Sequence, residues 1–479
     1  MSSMAEKINR KLHIVMFPWL AFGHMIPYLN LAKLIAQKGH TVSFVSTPRN
    51  IDRLPRIPPH LSSHLVYVKI ARPPVDGLPE YAEATTDLPY DKVQLLKKAY
   101  DGMQDPMALF LQASNPNWVM YDFATYWMGP LAARLGIRSA FFSILIAACV
   151  GFTLGPAEAL FNGGDNGRNK LEDFTVPASW SPPGSTVSFR IYEILRIQDS
   201  LSDNDGGLSD ILRFAGSTVN CDVIAVRSCS EFEPEWIRVL EEVNKKAVFP
   251  VGQLAPLESD MSDDNENEEW REIKMWLDNR EKDSVVYVAF GSEAKPTQEE
   301  LTGLAVGLEK SGLSFFWVLK TRRGEFDPDV LELPNGFEER TKGRGWVCRS
   351  WAPQMKILGH ESVGGFLTHC GWSSVVEAVY LEKPLILLTF LADQGINARV
   401  LEEKKMGHPI PRDEKDGSFT SESVAESLRL VMVEEQGRIY RDKMKEMKPL
   451  FCDKERQDKY VDTLLSYFQD HRGQSTRTN

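Results

Sequence analysis

Continuous apolar runs alternate along most of the chain with stretches whose apolar positions recur every three or four residues. LHIVMF (12 to 17), TVSFVS (41 to 46), LVYVKI (65 to 70), WVMYD (118 to 122), SAFFS (139 to 143) and VIAVRS (223 to 228) are rich in β-branched and aromatic residues. They read as strands buried on both faces. Between the first two, PYLNLAKLIAQKGH sets Leu29, Leu31, Leu34 and Ile35 near helical spacing, with Pro27 suited to the first turn and Gly39 to the stop. Such alternation predicts a parallel sheet covered by helices. The rhythm restarts at SVVYVAFGS (284 to 292) and runs through SFFWVLK, GWVCRSW, VGGFLTHC and KPLILLTF, with TQEELTGLAVGLEKSG as a helix between the first two. The fold class is therefore α/β, with two doubly wound Rossmann-like domains.

The predicted division is a first domain over 1–250, an acidic linker over 251–272 around LESDMSDDNENEEW, a second domain over 273–450, and a final segment over 451–479. In that last segment YVDTLLSYF reads as an amphipathic helix expected to pack back on the first domain, and HRGQSTRTN as a disordered polar tail.

Composition narrows the partners. A formal net charge of −11 over 479 residues repels nucleic acid and acidic membrane surfaces, so the partner is expected to be a small molecule. Cys149, Cys221, Cys229, Cys348, Cys370 and Cys452 lack the spacing of a disulfide framework or a zinc site and read as reduced thiols. The start, MSSMAEKINRKLHIVMFPWLAF, has basic residues ahead of an apolar run, but His13 and Pro18 interrupt it and it reads as a first strand rather than a signal peptide. SAFFSILIAACVGFTLG is too short and too rich in small polar residues for a membrane span. The expectation is a cytoplasmic monomer without stable membrane insertion.

Familiar nucleotide templates are missing: the sequence has no G-x-G-x-x-G, no P-loop and no G-x-S-x-G. What it has is THCGWSSVVEA at 368 to 378, between an apolar strand and an apolar helix. Open parallel sheets bind ligands at the carboxyl ends of their strands. There Gly371 lets a ligand approach the backbone, Ser373 or Ser374 is suited to cap the following helix, and free N–H groups with His369 make an anion site. Glu377, a turn further on, suits ribose hydroxyls. Serines followed by Glu also make an ordinary capping box, and a Trp at a strand end also makes ordinary core. Upstream, in RSWAPQ, Trp351 can stack a planar base; downstream, in LADQGINA, Asp393 and Gln394 can bond sugar hydroxyls. Ser292, in FGS after the first strand of this domain, adds a phosphate contact. Three strand ends thus supply a ring face, an anion site and a hydroxyl-reading pair, the inventory for a nucleotide diphosphate sugar.

WAPQ, HCGW, the following Glu and the closing DQ, from Trp351 to Gln394, resemble the donor-binding signature of plant UDP-dependent glycosyltransferases, an inverting family with the GT-B fold. The resemblance implies two domains facing a central cleft, the first for the acceptor and the second for the UDP-sugar. It implies Trp351 stacking on the uracil, Gln354 and Glu377 near the ribose, and Ser292, His369 and Ser374 on the diphosphate, with Ala352, Gly371 and Ser373 also among the donor-binding positions. Trp372, Asp393 and Gln394 would surround the sugar. Ser373 stands where the family usually has Asn; serine lacks the amide, so a phosphate or sugar contact is expected to be lost or bridged by water.

In the first half, FPWLAFGHMIPYL puts His24 between the first strand and the first helix, and Asp122 ends the strand WVMYD. A carboxylate beside an imidazole orients it and stabilises its charged form, giving a usable base. Each residue alone also fits a structural role. The resemblance implies that His24 is the catalytic base and Asp122 its support, acting in a single displacement at the anomeric carbon, with no metal and no cofactor beyond the UDP-sugar co-substrate. Gln394 and Trp372 resemble members that use UDP-glucose, with UDP-rhamnose and UDP-xylose open. FPWLAFGHMIPYLNLAKLIAQKGHTVSFVSTPRN and EATTDLP resemble a subgroup that adds a sugar to one already on a flavonoid or terpenoid. Acceptor contacts are expected from Phe22, Tyr81, Phe142, Phe152, Phe189 and Tyr192. Two other classes compete: a non-catalytic nucleotide-sugar binder, which does not need both His24 and Asp122, and a dehydrogenase, which needs the absent dinucleotide fingerprint.

Overall fold

The structure, a computed structural model, describes residues 11–164, 167–168, 170–201, 207–256, 268–294, 296–321, 330–350 and 352–472. Trp351, most of the acidic stretch and the polar tail from residue 473 lie outside the described residues.

Seven parallel strands form the first sheet: β1 (His13–Phe17), β2 (Thr41–Ser46), β3 (Leu65–Lys69), β4 (Trp118–Tyr121), β5 (Arg138–Ser143), β6 (Val223–Val226) and β7 (Val248–Pro250), in the order β3-β2-β1-β4-β5-β6-β7. Six more form the second: β8 (Val285–Ala289), β9 (Ser314–Val318), β10 (Gly345–Cys348), β11 (Val363–Thr368), β12 (Leu385–Leu387) and β13 (Gly407–Pro409), in the order β10-β9-β8-β11-β12-β13. Strand order reverses between β1 and β4 in one sheet and between β8 and β11 in the other. At such switch points successive loops diverge and leave a crevice.

The helices that carry the site are α1 (Phe22–Gln37), α2 (Ile191–Leu201), α3 (Gln298–Ser311), α4 (Trp372–Tyr380), α5 (Gln394–Glu403), α6 (Arg438–Cys452) and α7 (Lys454–Asp470). α1 starts earlier than the sequence pattern suggests, so Pro27 lies inside it rather than in its first turn. The break is tolerated because the carbonyl that Pro27 leaves without a donor belongs to Gly23, which is exposed and can bond to water. Gly39, at φ +83°, stops the helix as expected. The expected linker is shorter than read: a helix covers Glu268–Asp278, since Ile273 and Leu277 bury one stripe of it and Trp276 packs edge-on to Trp346.

A continuous apolar cluster runs from the first domain into the second through Phe232, Trp372 and Phe451, whose ring centroids lie 5.1–6.1 Å apart. α6 contributes Phe451 to this seam. The chain then breaks at Asp453, whose carboxylate caps α7 by accepting from Arg456 N, and α7 returns to the first domain. α7 buries Val461, Leu464, Leu465 and Phe468, one helical stripe. Phe468 stacks on Trp118 of β4 at 4.0 Å, and its carbonyl accepts the Trp118 indole N–H at 3.0 Å. No helix among the described residues is long and apolar enough to cross a membrane.

Phe468→Ala should therefore cost about 3–5 kcal/mol in denaturant unfolding, the usual range for emptying a buried aromatic site. Lys459→Ala, on the exposed face of α7, should stay within about 0.5 kcal/mol. Equal effects of the two would mean that α7 does not anchor the first domain through this stack.

Candidate active site

The two switch points face one another, and each carries one half of the site. In the first domain, β4 ends at Tyr121, so Asp122 follows directly and is buried. Its Oδ2 accepts from Trp19 N at 3.0 Å and its Oδ1 from Phe123 N at 2.7 Å. Oδ2 also bonds His24 Nδ1 at 2.8 Å. His24 stands in the first turn of α1, after β1. Because a carboxylate only accepts, the neutral ring keeps its proton on Nδ1 and its lone pair on Nε2. Nε2 has no hydrogen-bond partner among the described residues, and the side chain is 19% exposed. Burial opposes charging the ring most strongly, but the Asp122 charge and hydrogen bond, joined by Asp393 and Glu293, outweigh it, so the pKa stands above the ordinary imidazole value. Asp393 and Glu293 belong to the second domain. The half-buried Phe123 ring, 5.6 Å from the imidazole, walls the other side.

In the second domain β11 ends at Thr368 and α4 begins at Trp372. Between them Cys370 adopts φ +69°, and the His369 ring fits between two glycines: a Cβ on Gly291 or Gly371 would lie 2.7 or 2.4 Å from its Nε2. Any larger residue at either position would displace the ring. His369 Nδ1 is buried without a partner, and burial together with the Lys320 charge pushes its pKa down to about 4. It is therefore a neutral imidazole at neutral pH. Gln354 joins the next two turns: its Nε2 donates to Glu377 Oε2 at 2.5 Å and to Ser374 Oγ at 3.3 Å.

The helix cap is Gly371 and not a serine, which places Ser373 and Ser374 inside the first turn with their hydroxyls free to point elsewhere. The first N–H groups of α4 thus lack side-chain caps and open toward the crevice. Ser292 is half-buried in the turn after β8, and Ala352 is buried near the start of the helix that carries Gln354. Asp393 Oδ2 accepts from Asn397 Nδ2 at 2.6 Å, and burial raises its pKa. Gln394 turns its Oε1 back onto Phe390 N and Leu391 N, so only its amide N–H groups remain to donate.

Several expected positions are corrected. Trp372 does not turn its indole toward a sugar: its Nε1–H donates to Gln253 Oε1 at 2.9 Å and its ring fills the domain seam. Phe142 is fully buried against Tyr28 on one face of the first sheet, and Phe152 and Phe189 pack on each other in the core. Tyr192 is closed between Gly417 and the Arg412 guanidinium at the seam. Of the six aromatic candidates, Phe22 and Tyr81 are only half-buried and can present a ring to a ligand.

The sequence reading missed Phe123, Glu293, Asn397, Arg227, Gln253 and Glu193. Asn397 lies one turn after Asp393 and was findable from that spacing. Glu193 had no local signal: it is buried on α2 and accepts from Thr389 Oγ1 at 2.9 Å and Arg399 Nη2 at 3.3 Å, both in the other domain.

The family model for UDP-glucoronosyl and UDP-glucosyl transferase matches residues 249–458, the part that holds the second half-site. UDP-glycosyltransferase 91A1 of Arabidopsis thaliana is 52% identical over 96% of this chain and 97% of its own. The chain belongs to the plant UDP-glycosyltransferase family. A soyasaponin III rhamnosyltransferase of Glycine max is 42% identical over 97% of both chains. Among solved structures, a Glycyrrhiza uralensis UGT in complex with glycyrrhetinic acid 3-O-monoglucuronide superposes with a TM-score of 0.76 at 23% identity, covering 96% of each chain, which fits the GT-B fold.

For this glycosyltransferase the elevated His24 pKa sets a pH dependence. The proton-accepting form is the neutral ring, and a raised pKa keeps the ring protonated to higher pH, so the acid limb of kcat/KM should lie above pH 6.5. Asp122→Asn removes the charge that raises it while burial still lowers it. The limb should move to lower pH and the plateau fall by about 10²–10⁴. A limb that stays in place would remove Asp122 from this role.

Proposed function

We propose that the protein transfers a sugar, glucose as the first choice, from a UDP-sugar to a hydroxyl of a sugar already attached to a plant terpenoid or flavonoid, with inversion at the anomeric carbon. The observation that carries this reading is the meeting of the half-sites: His24, oriented by Asp122, lies within electrostatic reach of Asp393, one of the sugar-reading residues of the other domain.

His24 Nε2 takes the proton of the acceptor hydroxyl as that oxygen attacks the anomeric carbon. UDP departs from the opposite face, which inverts the configuration. The charge growing on the diphosphate is met by the free N–H groups opening α4 and by His369, whose unpartnered nitrogen gains a partner when the anion arrives. Gln354 and Glu377 receive the ribose hydroxyls, with Trp351 expected on the uracil. Preorganised donors of this kind lower the barrier because they need no reorientation as charge develops.

Polar surroundings support a glycoside acceptor. Thr85, in the loop EATTDLP, donates to Glu293 Oε1 at 2.7 Å across the cleft, so the second domain presents Glu293 and Asp393 on the His24 side. Carboxylates suit the hydroxyls of a sugar better than the face of a bare aglycone, which offers no donor in exchange for the water it displaces. Phe22 and Phe123 supply an apolar wall for the aglycone. Rhamnose is the second donor reading, supported by the relative named as a soyasaponin III rhamnosyltransferase.

A mass-spectrometric screen tests both parts. UDP-glucose, UDP-rhamnose and UDP-xylose are offered with flavonoid and terpenoid aglycones and with their monoglycosides. Gain of a hexose on monoglycosides alone is the expected outcome; gain on aglycones would make the enzyme a primary glycosyltransferase, and UDP binding without turnover would favour a non-catalytic binder. His24→Ala should reduce transfer by at least about 10² while UDP affinity stays within about threefold. Glu377→Ala should weaken UDP itself by about tenfold, the worth of one good hydrogen bond to a charged group; unchanged affinity would remove Glu377 from the ribose site.

A further inference from the structure

Arg227 follows β6 of the first domain and is buried, 3% exposed. Its Nε donates to the Gln253 carbonyl at 2.9 Å, and its Nη1 reaches into the other domain to donate to Ser373 Oγ at 2.8 Å. Nη2 has no hydrogen-bond partner among the described residues, and no carboxylate there lies within ion-pairing distance of the guanidinium. Burial lowers its pKa to about 10, with Glu377 opposing from further off, so it is still a cation at neutral pH. An unpaired buried cation is costly, and proteins keep one where an anion arrives to meet it. Here it is pinned to the first turn of α4, the helix start that also offers free N–H groups.

We propose that Arg227 binds the diphosphate of the nucleotide sugar together with the first turn of α4, so that the acceptor domain supplies a charge to donor recognition. This rests on the UDP-sugar reading above and adds to it. It also gives Ser373 a reason. The guanidinium stands in hydrogen-bonding contact with its hydroxyl, and the longer Asn usual at this position would occupy the space the guanidinium takes. The serine thus exchanges a neutral amide from one domain for a cation from the other, in place of the lost or water-bridged contact expected from the sequence. A carboxylate on the transferred sugar, as in a uronic acid donor, would offer the guanidinium the same kind of oxygen. The diphosphate is favoured because the Arg227 partner is Ser373, directly beside Ser374, which shares Gln354 with the ribose-side Glu377.

The test measures binding of UDP, uridine and UDP-glucuronate to the full chain and to Arg227→Gln and Arg227→Lys. Arg227→Gln should weaken UDP by about ten- to a hundredfold, the worth of a charge-assisted contact, while uridine, which lacks phosphates, changes by less than about threefold. Arg227→Lys should recover part of the loss as a point charge. Equal loss of UDP and uridine would mean a structural seam residue and overturn the proposal, as would no loss at all or a loss confined to UDP-glucuronate. A wild-type chain that binds no UDP overturns the UDP-sugar reading and this one with it. If Arg227→Gln does not fold, Ser373→Asn decides: it should crowd the guanidinium and weaken UDP by about fivefold or more, and tighter UDP binding would sink the idea.

Discussion

One buried amide, Gln253, fixes the two halves of the site against each other. Its Oε1 accepts the Trp372 indole N–H, its backbone carbonyl accepts Arg227 Nε, and its Nε2 rests on Cys229 Sγ at 3.6 Å. It is 1% exposed, so each of these groups would be expensive to leave unpaired. The neighbouring Gly252, at φ +78°, has the Gln457 amide of α7 where a Cβ would stand, and Gln457 bonds Val251 O and Leu254 N. The segment carrying Gln253 is thereby clamped by the last helix on one side and by Trp372 on the other. Since Trp372 opens α4, the start of the anion-binding helix is set by the first domain as much as by its own strand.

The two histidines show how one residue type is driven to opposite behaviour by its surroundings. His369 is buried and His24 half-buried, and lost hydration disfavours the charge in each. His24 has three carboxylates around it and ends above the ordinary value; His369 has a lysine and an unpartnered nitrogen and ends near 4. The first thus holds its proton to higher pH than a free imidazole does. The second is a neutral group with an unpartnered Nδ1. The two sheets hold these opposite imidazoles on opposite sides of their switch points, His24 after β1, whose counterpart is β8, and His369 after β11, whose counterpart is β4.

The parts of this arrangement that were legible in the sequence are those written locally. Strand rhythm revealed both sheets, and HCGW, the APQ of WAPQ and DQ each sit between a strand and the next helix, so residue type and position together pointed at a ligand. His24 and Asp122 could be picked out because one opens the helix after β1 and the other directly follows the adjacent strand β4. What the sequence hid falls into two kinds. Contacts across long separations, such as Arg227 with Ser373 or Glu193 with Thr389, leave no periodic trace. The facing of aromatic residues in strands buried on both sides is also hidden: Phe141 and Phe142 are consecutive, point to opposite faces of β5 and are both fully buried. Aromatic content in such a strand therefore cannot mark a pocket, and Phe142, the acceptor candidate that lies in a strand, is core. Ser373 was noticed as a departure, but its meaning lay in the other domain.

The surroundings of His24 are a rim of loops and helix starts and not a deep aromatic chamber. The groups around His24 come from the first turn of α1, the loop of Thr85, the residue after Asp122 and the turn after β8, and these are loop or helix-start positions on rigid sheets. Loops on a fixed scaffold can change without disturbing the core. The donor half is different: His369 is locked between two glycines, Gln354 is shared by Ser374 and Glu377, and α4 is pinned through Trp372 to Gln253. A substitution there alters several contacts at once, whereas one at Phe22 or Thr85 alters few. The second-domain half is thus tightly coupled to the core, whereas the groups around His24 can be replaced with less disturbance to it.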